Sequence, residues 1–434
     1  MPGDTIRLKN KPYNIANHMR KTILTLAFLS SMTMISAKSN CGPNILETKK
    51  AIENASAQLK NELDVIARSG KLLNPVTLTK DNKVFYCDYE DWRSGFFPGS
   101  LWYMYELTGD EYWADKAATF TKSIEQAKTL TWHHDIGFIV NCSFGNQMRL
   151  SPKGYEESKE AMIEAAKSLI TRFRPSAGII QSWNVDRGWQ SKRGWQCPVI
   201  IDNMMNLELL FKATQLTHDS VYYKVAVSHA NRTMQEQFRP DGSCYHVVDY
   251  DLSDGHVRHR HTAQGYSHES IWSRGQAWAI YGYTMCYRYT SDPRYLNQAI
   301  KTYKMMRNHP AMPADGVPYW DMSTPNIPNE YRDVSSAACI ASALYEMSAY
   351  DLQNANEYRA YADKIMTSLA SSAYTAKLGQ NGNFILMHSV GSIPHNNEID
   401  KPLNYADYYY LEALVRKARL DLYFQKVIAR EKKK

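Results

Sequence analysis

The sequence predicts an all-α protein, an (α/α)6 barrel in which six helical hairpins close into a toroid. Three observations carry this reading. An apolar, aromatic helix repeatedly runs into a Thr-x-Asp-x-x-Tyr phrase and then a second helix; the repeats are far apart; and long inserts, such as Arg239 to Ser270 and Val317 to Arg332, read as loops grown on one rim.

Ile52, Leu59, Leu63 and Ile66 open the series at helical spacing. Gly99 to Leu107 then leads into Thr108, Asp110 and Tyr112, and Glu156 to Phe173 keeps a helical period through Met162, Ala165, Ala166 and Leu169. Met204 to Leu216 leads into Thr217, Asp219 and Tyr222, and Gln276 to Tyr289 into Thr290, Asp292 and Tyr295. A degenerate copy runs from Ala337 to Tyr350 with Asp351 and Tyr358, and Tyr408 to Leu422 closes the series. Each aspartate is placed to cap the helix that follows, since a carboxylate accepts from free N-terminal amides. Thr217 and Thr290 lie much further apart than the roughly 34 residues of an open helical solenoid, which favours closure.

With 434 residues, 44% of them hydrophobic and 22% charged, the chain can bury a large core. No Pro/Gly/Ser-rich linker follows residue 41, so residues 41–434 read as one domain. The net charge of +7 is concentrated at the two ends, leaving the body close to neutral. That distribution argues against a nucleic-acid partner, which needs basic residues gathered on a folded face. Residues 1–40 read as an N-terminal extension and signal peptide: Met19-Arg20-Lys21, an apolar run from Thr22 to Met34, then Ser36 and Ala37. The reading is export to a bacterial periplasm, with Cys41 as the alternative site of a lipid anchor. No later run is long enough to span a membrane. The seven cysteines form no CxxC pair and read as buried thiols.

Four phrases carry side chains suited to chemistry. In Asp91 to Trp102, Phe96, Phe97 and Trp102 read as core, whereas Trp92 precedes the helix and can present a flat indole to the apolar face of a sugar ring. His133-His134-Asp135-Ile136-Gly137-Phe138 sets a carboxylate beside an apolar step, as a helix cap or as a functional group. Ile200 to Leu210 embeds Asp202 in an apolar run, where it is either a cap or a group whose pKa burial raises towards that of a general acid. Ser270 to Trp278 places Arg274 between Trp272 and Trp278; its planar fork suits a carboxylate ligand or a structural ion pair. His256, His259 and His261 are interleaved with Arg258 and Arg260 and do not read as a metal site. No nucleotide-binding glycine loop or GxSxG elbow is present.

Together these phrases resemble the unsaturated glucuronyl hydrolases, glycoside hydrolase family 88, from about Ala51 to Leu414. The most specific pieces are HHDIGF, SAGIIQSW, IIDNMMNL, WSRGQAW, YRDVSSAA and YADYYYLEAL. The resemblance implies the same barrel, no metal or other cofactor, and an unsaturated uronate oligosaccharide, glycosaminoglycan-derived, as substrate. It implies that Asp202 is the acid/base and Asp135 its essential neighbour, with His134 beside it. Trp92, Trp183, His246, Gln264, Trp272, Arg274 and Trp278 would line the cleft, with Arg274 as partner of the uronate carboxylate. Asn184 to Pro198 and His388 to Pro402 depart from the family pattern; Arg193 and Lys401 within them suit sulfated fragments. Two other readings are an unsaturated rhamnogalacturonyl hydrolase acting on pectin fragments, against which HHDIGF and WSRGQAW argue, and a helical-repeat protein that holds anionic sugars without turnover. Two carboxylates in one cleft argue against the latter.

Overall fold

In each Thr-x-Asp phrase one helix ends and the next begins by local hydrogen bonding. The hydroxyls of Thr108, Thr217 and Thr290 donate back to the carbonyls of Met104, Ala213 and Cys286. The next residue, Gly109, His218 or Ser291, turns the chain through a left-handed φ of 68°, 60° or 56°. The aspartate then accepts from the backbone N–H two positions on, at 3.0, 2.9 and 3.0 Å. Asp351 is the exception: it takes the Tyr358 hydroxyl and the Asn354 amide instead, and caps no helix.

The computed structural model describes residues 43–431, so the export segment and Cys41 lie outside the described residues. The helices are α1 Pro43–Ser69, α2 Phe96–Thr108, α3 Glu111–Ser123, α4 Phe144–Leu150, α5 Tyr155–Ile170, α6 Leu207–Thr217, α7 Ser220–Glu236, α8 Ser273–Thr290, α9 Pro293–Asn308, α10 Val334–Met347, α11 Ala355–Leu369 and α12 Asn404–Glu431. The even-numbered helices form the inner ring. α2 packs on α4 and α12, α12 on α10, α10 on α8 and α8 on α6; a π-helical turn at Gly137–Asn141 joins α6 to α4 and closes the circle. Burial follows position: α10 is buried without a break from Val334 to Tyr345, whereas outer α9 buries only the stripe of Tyr295, Leu296, Ala299, Thr302, Tyr303 and Met306. The architecture is the expected (α/α)6 barrel.

Most links from an inner helix out to its partner are tight, while every link back in is long. The long links therefore gather at the N-terminal ends of the inner helices. They hold short antiparallel strands that the sequence reading did not separate from loop: β1 Asn74–Leu78 with β2 Val84–Cys87, β3 Phe173–Arg174 with β4 Ile179–Ile180, a three-stranded sheet of β5 Pro198–Ile200, β6 Val247–Tyr250 and β7 Val257–His261, and β8 Ser389–Ser392 with β9 Asn397–Lys401. Strands of two to five residues are too short for a period-2 pattern to emerge. The six described cysteines are free and buried, as expected. Among the described residues no helix is long and apolar enough to cross a membrane.

Candidate active site

Gly137 allows two remote segments to touch. A Cβ at this position would sit 2.5 Å from the Cα of Asn206, so only glycine lets the His133 to Asn141 segment lie against the 3-10 turn Ile201–Asn206. Asn206 fixes the contact: its Oδ1 accepts from the Phe138 N–H at 2.8 Å. One segment carries Asp135, the other Asp202, and neither side chain caps a helix. Both carboxyls are withdrawn from solvent, at 9% and 7% exposure.

The environments push their acidities apart. Burial is the main influence on Asp202 and lifts its pKa to about 7; the charge of Asp135 adds to the rise, while Arg274 and Trp278 oppose it. Burial also works against ionising Asp135, but His134, His133 and the buried Arg172 guanidinium outweigh it and hold this carboxyl below its usual range. His134 Nε2 lies 3.3 Å from Asp135 Oδ1, and His133 Nδ1 lies 3.4 Å from Oδ2. Burial takes the His134 pKa down to about 4. Two neighbouring carboxyls therefore divide the labour near neutral pH, one keeping a proton and one charged. Asp202 Oδ2 is buried without a hydrogen-bond partner, 3.8 Å from His246 Nε2.

The other residues singled out in the sequence connect to this pair. Trp92 packs on Phe138 at 5.4 Å between ring centroids, and Phe138 packs on Trp278 at 5.4 Å. Trp272 and Trp183 flank the His246 ring at 4.3 and 6.1 Å. Trp183 pairs through its backbone with His133, and Gln264 accepts from Arg274 at 2.9 Å. Arg274, which the resemblance makes the partner of the uronate carboxylate, already has protein partners here. Its terminal nitrogens donate to Asp333 at 3.0 Å, to the Val390 and Gly391 carbonyls and to Gln264, so the fork is taken up by a buried ion pair and by β8. Its charge still reaches Asp202.

Several contributors escaped the sequence reading as site residues. Asp333 holds Arg274 and caps α10; Asn206 docks the Asp135 segment; Trp189 and Trp195 extend the aromatic wall from Trp183, at 5.0 and 6.0 Å. Trp189 and Trp195 stood in the sequence as an aromatic-rich departure, whereas Asp333 and Asn206 have partners far along the chain. The HxxHxH phrase splits: His256 pairs with Asp254 at 2.6 Å, whereas His259 and His261 stack on each other at 4.9 Å on β7, with His261 accepting from Trp195 at 3.0 Å.

The comparison with known proteins gives one answer. The model of Glycosyl Hydrolase Family 88 matches residues 73–419. An unsaturated glucuronyl hydrolase of Formosa agariphila is 49% identical over 333 residues, covering 77% of this chain and 81% of the relative. One from Bacillus sp. (strain GL1) is 34% identical over 348 residues, covering 78% and 89%. Among solved structures, an unsaturated glucuronyl hydrolase specific for heparin superposes with a TM-score of 0.81 at 42% identity, covering 86% of this chain and 98% of that one. With matches of this extent over the barrel and both carboxylate segments, the chain belongs to glycosyl hydrolase family 88 and is a glycosidase.

Proposed function

We propose that this enzyme removes the terminal 4,5-unsaturated uronic acid from glycosaminoglycan fragments left by polysaccharide lyases, by hydrating the enol ether. The observation that carries the proposal is a buried Asp202 carboxyl that keeps its proton near neutrality beside an ionised Asp135. The Asp202 proton passes to C4 of the C4=C5 bond, leaving an oxocarbenium ion centred on C5. Water adds at C5 while its proton returns to the Asp202 carboxylate. The resulting hemiketal opens, the anomeric centre collapses to an aldehyde, and the next sugar leaves with its hydroxyl restored. Asp135 holds ring hydroxyls, and its charge favours the protonated form of Asp202 and the cationic intermediate. The inner-helix N-termini converge on this rim and favour an anionic ligand. Trp92 and Trp183, both only partly buried, offer flat apolar surface to the sugars.

Arg193 lies 4.8 Å over the Trp195 ring on the aromatic wall, donates to the Thr262 carbonyl and enters no ion pair among the described residues; a cation left without a counter-charge there supports sulfated substrates. Turnover is read as loss of the ultraviolet absorbance of the conjugated uronate. A panel of heparin, chondroitin and hyaluronan disaccharides should lose it with the wild-type enzyme, and persistence of the band with every member rejects the function. Export of the chain through residues 1–40 would place it where such fragments arrive, and N-terminal sequencing of the mature protein tests that reading.

A further inference from the structure

We infer that His246 is a positioning residue for the hydration step: a donor fixed in one tautomer, whose Nε2–H aims at the reacting oxygen of Asp202 and holds both the attacking water and the carboxylate that deprotonates it. The inference rests on the proposed function and adds a role to a residue otherwise read only as part of the cleft wall. The backbone N–H groups of Ala263 and Gln264 both point at His246 Nδ1, each at 3.1 Å, and the Thr262 hydroxyl lies 3.4 Å away. An atom that accepts from two backbone donors has no room for its own proton, so the proton of the neutral ring is on Nε2. An imidazolium would turn Nδ1 into a third donor facing two others, so the ring is held neutral as well. Burial and the surrounding cations act in the same direction.

The other edge of the ring faces the chemistry. Nε2 is buried and without a protein partner, and so is Asp202 Oδ2, 3.8 Å away. Two orphaned polar atoms aimed at each other across slightly more than a hydrogen bond define a place where an oxygen can meet both. A donor at that place suits a water that gives its proton to Asp202 and keeps its lone pair for C5. Because His246 cannot itself accept there, it cannot compete with Asp202 as base. Packing against Trp272, with ring centroids 4.3 Å apart and planes tilted by 40°, restrains the ring. The charged or titratable groups facing Asp202 are Asp135 from the His133 to Asn141 segment, Arg274 from α8 and the Cys244 thiol; those facing His246 are Arg274, His395, Arg193 and His134.

Replacement by Asn keeps the acceptor near Nδ1 and loses the distal donor, whereas Gln returns an N–H near Nε2. His246→Asn should lower kcat roughly tenfold or more with a smaller change in KM, and should move the basic limb of the kcat profile up by about one pH unit, because the Asp202 carboxylate loses a donor. His246→Gln should recover part of both. An unmoved limb, or a rise in KM with kcat intact, would reduce His246 to a wall residue. A second readout does not depend on turnover: in nitrogen NMR of histidine-labelled enzyme at neutral pH, the ring signal that vanishes in His246→Asn should be that of a neutral Nε2–H tautomer. An Nδ1–H tautomer or an imidazolium there overturns the inference even if the enzyme is active. If the wild-type enzyme leaves unsaturated disaccharides untouched, the proposed function falls and the spectrum still decides the tautomer.

Discussion

A carboxyl group taken out of water resists ionisation, and at Asp202 the fold uses that resistance to store a proton beside a second carboxylate that is kept charged. The stored proton sets two expectations for pH. Activity needs the protonated acid, so kcat/KM should fall as pH rises through about 7. At the acid end it should fall only below the usual carboxylate range, where Asp135 takes up a proton. A profile with its basic limb near pH 4 would show that Asp202 titrates as an ordinary carboxylate. Asp202→Asn should cut kcat by roughly 10²–10⁴-fold with KM little changed, as befits loss of a general acid. Retained turnover in that variant would remove Asp202 from the role. The same substitution tests storage through stability. The folded-state pKa is raised, so the unfolded state releases its proton first and the wild-type protein loses stability as pH climbs from about 4 to about 7. Asn has no proton to lose, so Asp202→Asn should melt higher than wild type at pH 8, by up to roughly 4 kcal/mol, and alike at pH 4. Equal melting curves at pH 8 would place the folded-state pKa close to the unfolded one.

At the scale of elements, the turns that join the hairpins are local and could be read directly. The Asp110, Asp219 and Asp292 caps need only neighbours two residues away, and the sequence pattern contains all of them. Asp219→Ala should therefore cost about 1 kcal/mol by thermal melting and leave turnover unchanged. Asp351 stands in a degenerate copy of the phrase, three residues before the Asn354 cap position, and takes Tyr358 and Asn354 as partners instead of capping the helix. The strands on the rim were not legible: β5 is three residues long, and each strand exists only because another segment supplies its ladder. The site divides the same way. Asp202 stood out as a carboxylate in an apolar run, but nothing near Arg274 in the chain announces that Asp333 will occupy its fork. Asn206 is likewise visible only in three dimensions, and its loss is measurable. Asn206→Ala would orphan the buried Phe138 N–H and unpin the Asp135 segment, costing about 1–3 kcal/mol and lowering kcat more than it raises KM. An unchanged kcat would show that Gly137 packing alone holds the two carboxyls in place.

The whole molecule separates chemistry from closure. Inner-helix N-termini, long links and both carboxyls share one rim, while away from it the ring is locked by α12. Glu412 on α12 is the keystone of that lock. It accepts from Tyr103 on α2 at 2.8 Å, from Tyr281 on α8 at 2.9 Å and from Ser342 on α10 at 2.6 Å, with Arg416 at 3.3 Å as counter-charge. One carboxylate thus ties four of the six inner helices. Removing its charge leaves Arg416 buried with fewer acidic partners, and a side chain without oxygen takes the carboxylate acceptor from three buried hydroxyls, leaving Tyr103 with Tyr408, Tyr281 with Arg416 and Ser342 with none. Glu412→Gln keeps one acceptor oxygen and should be the milder change; Glu412→Leu should cost about 3–5 kcal/mol and lower the melting temperature most. If closure and chemistry are as separate as the layout indicates, both variants should turn over substrate at the wild-type rate below their melting points. A kcat that falls in parallel with stability would instead mean that the strain of an open ring reaches the Asp202 rim, and that the barrel works as a single mechanical unit.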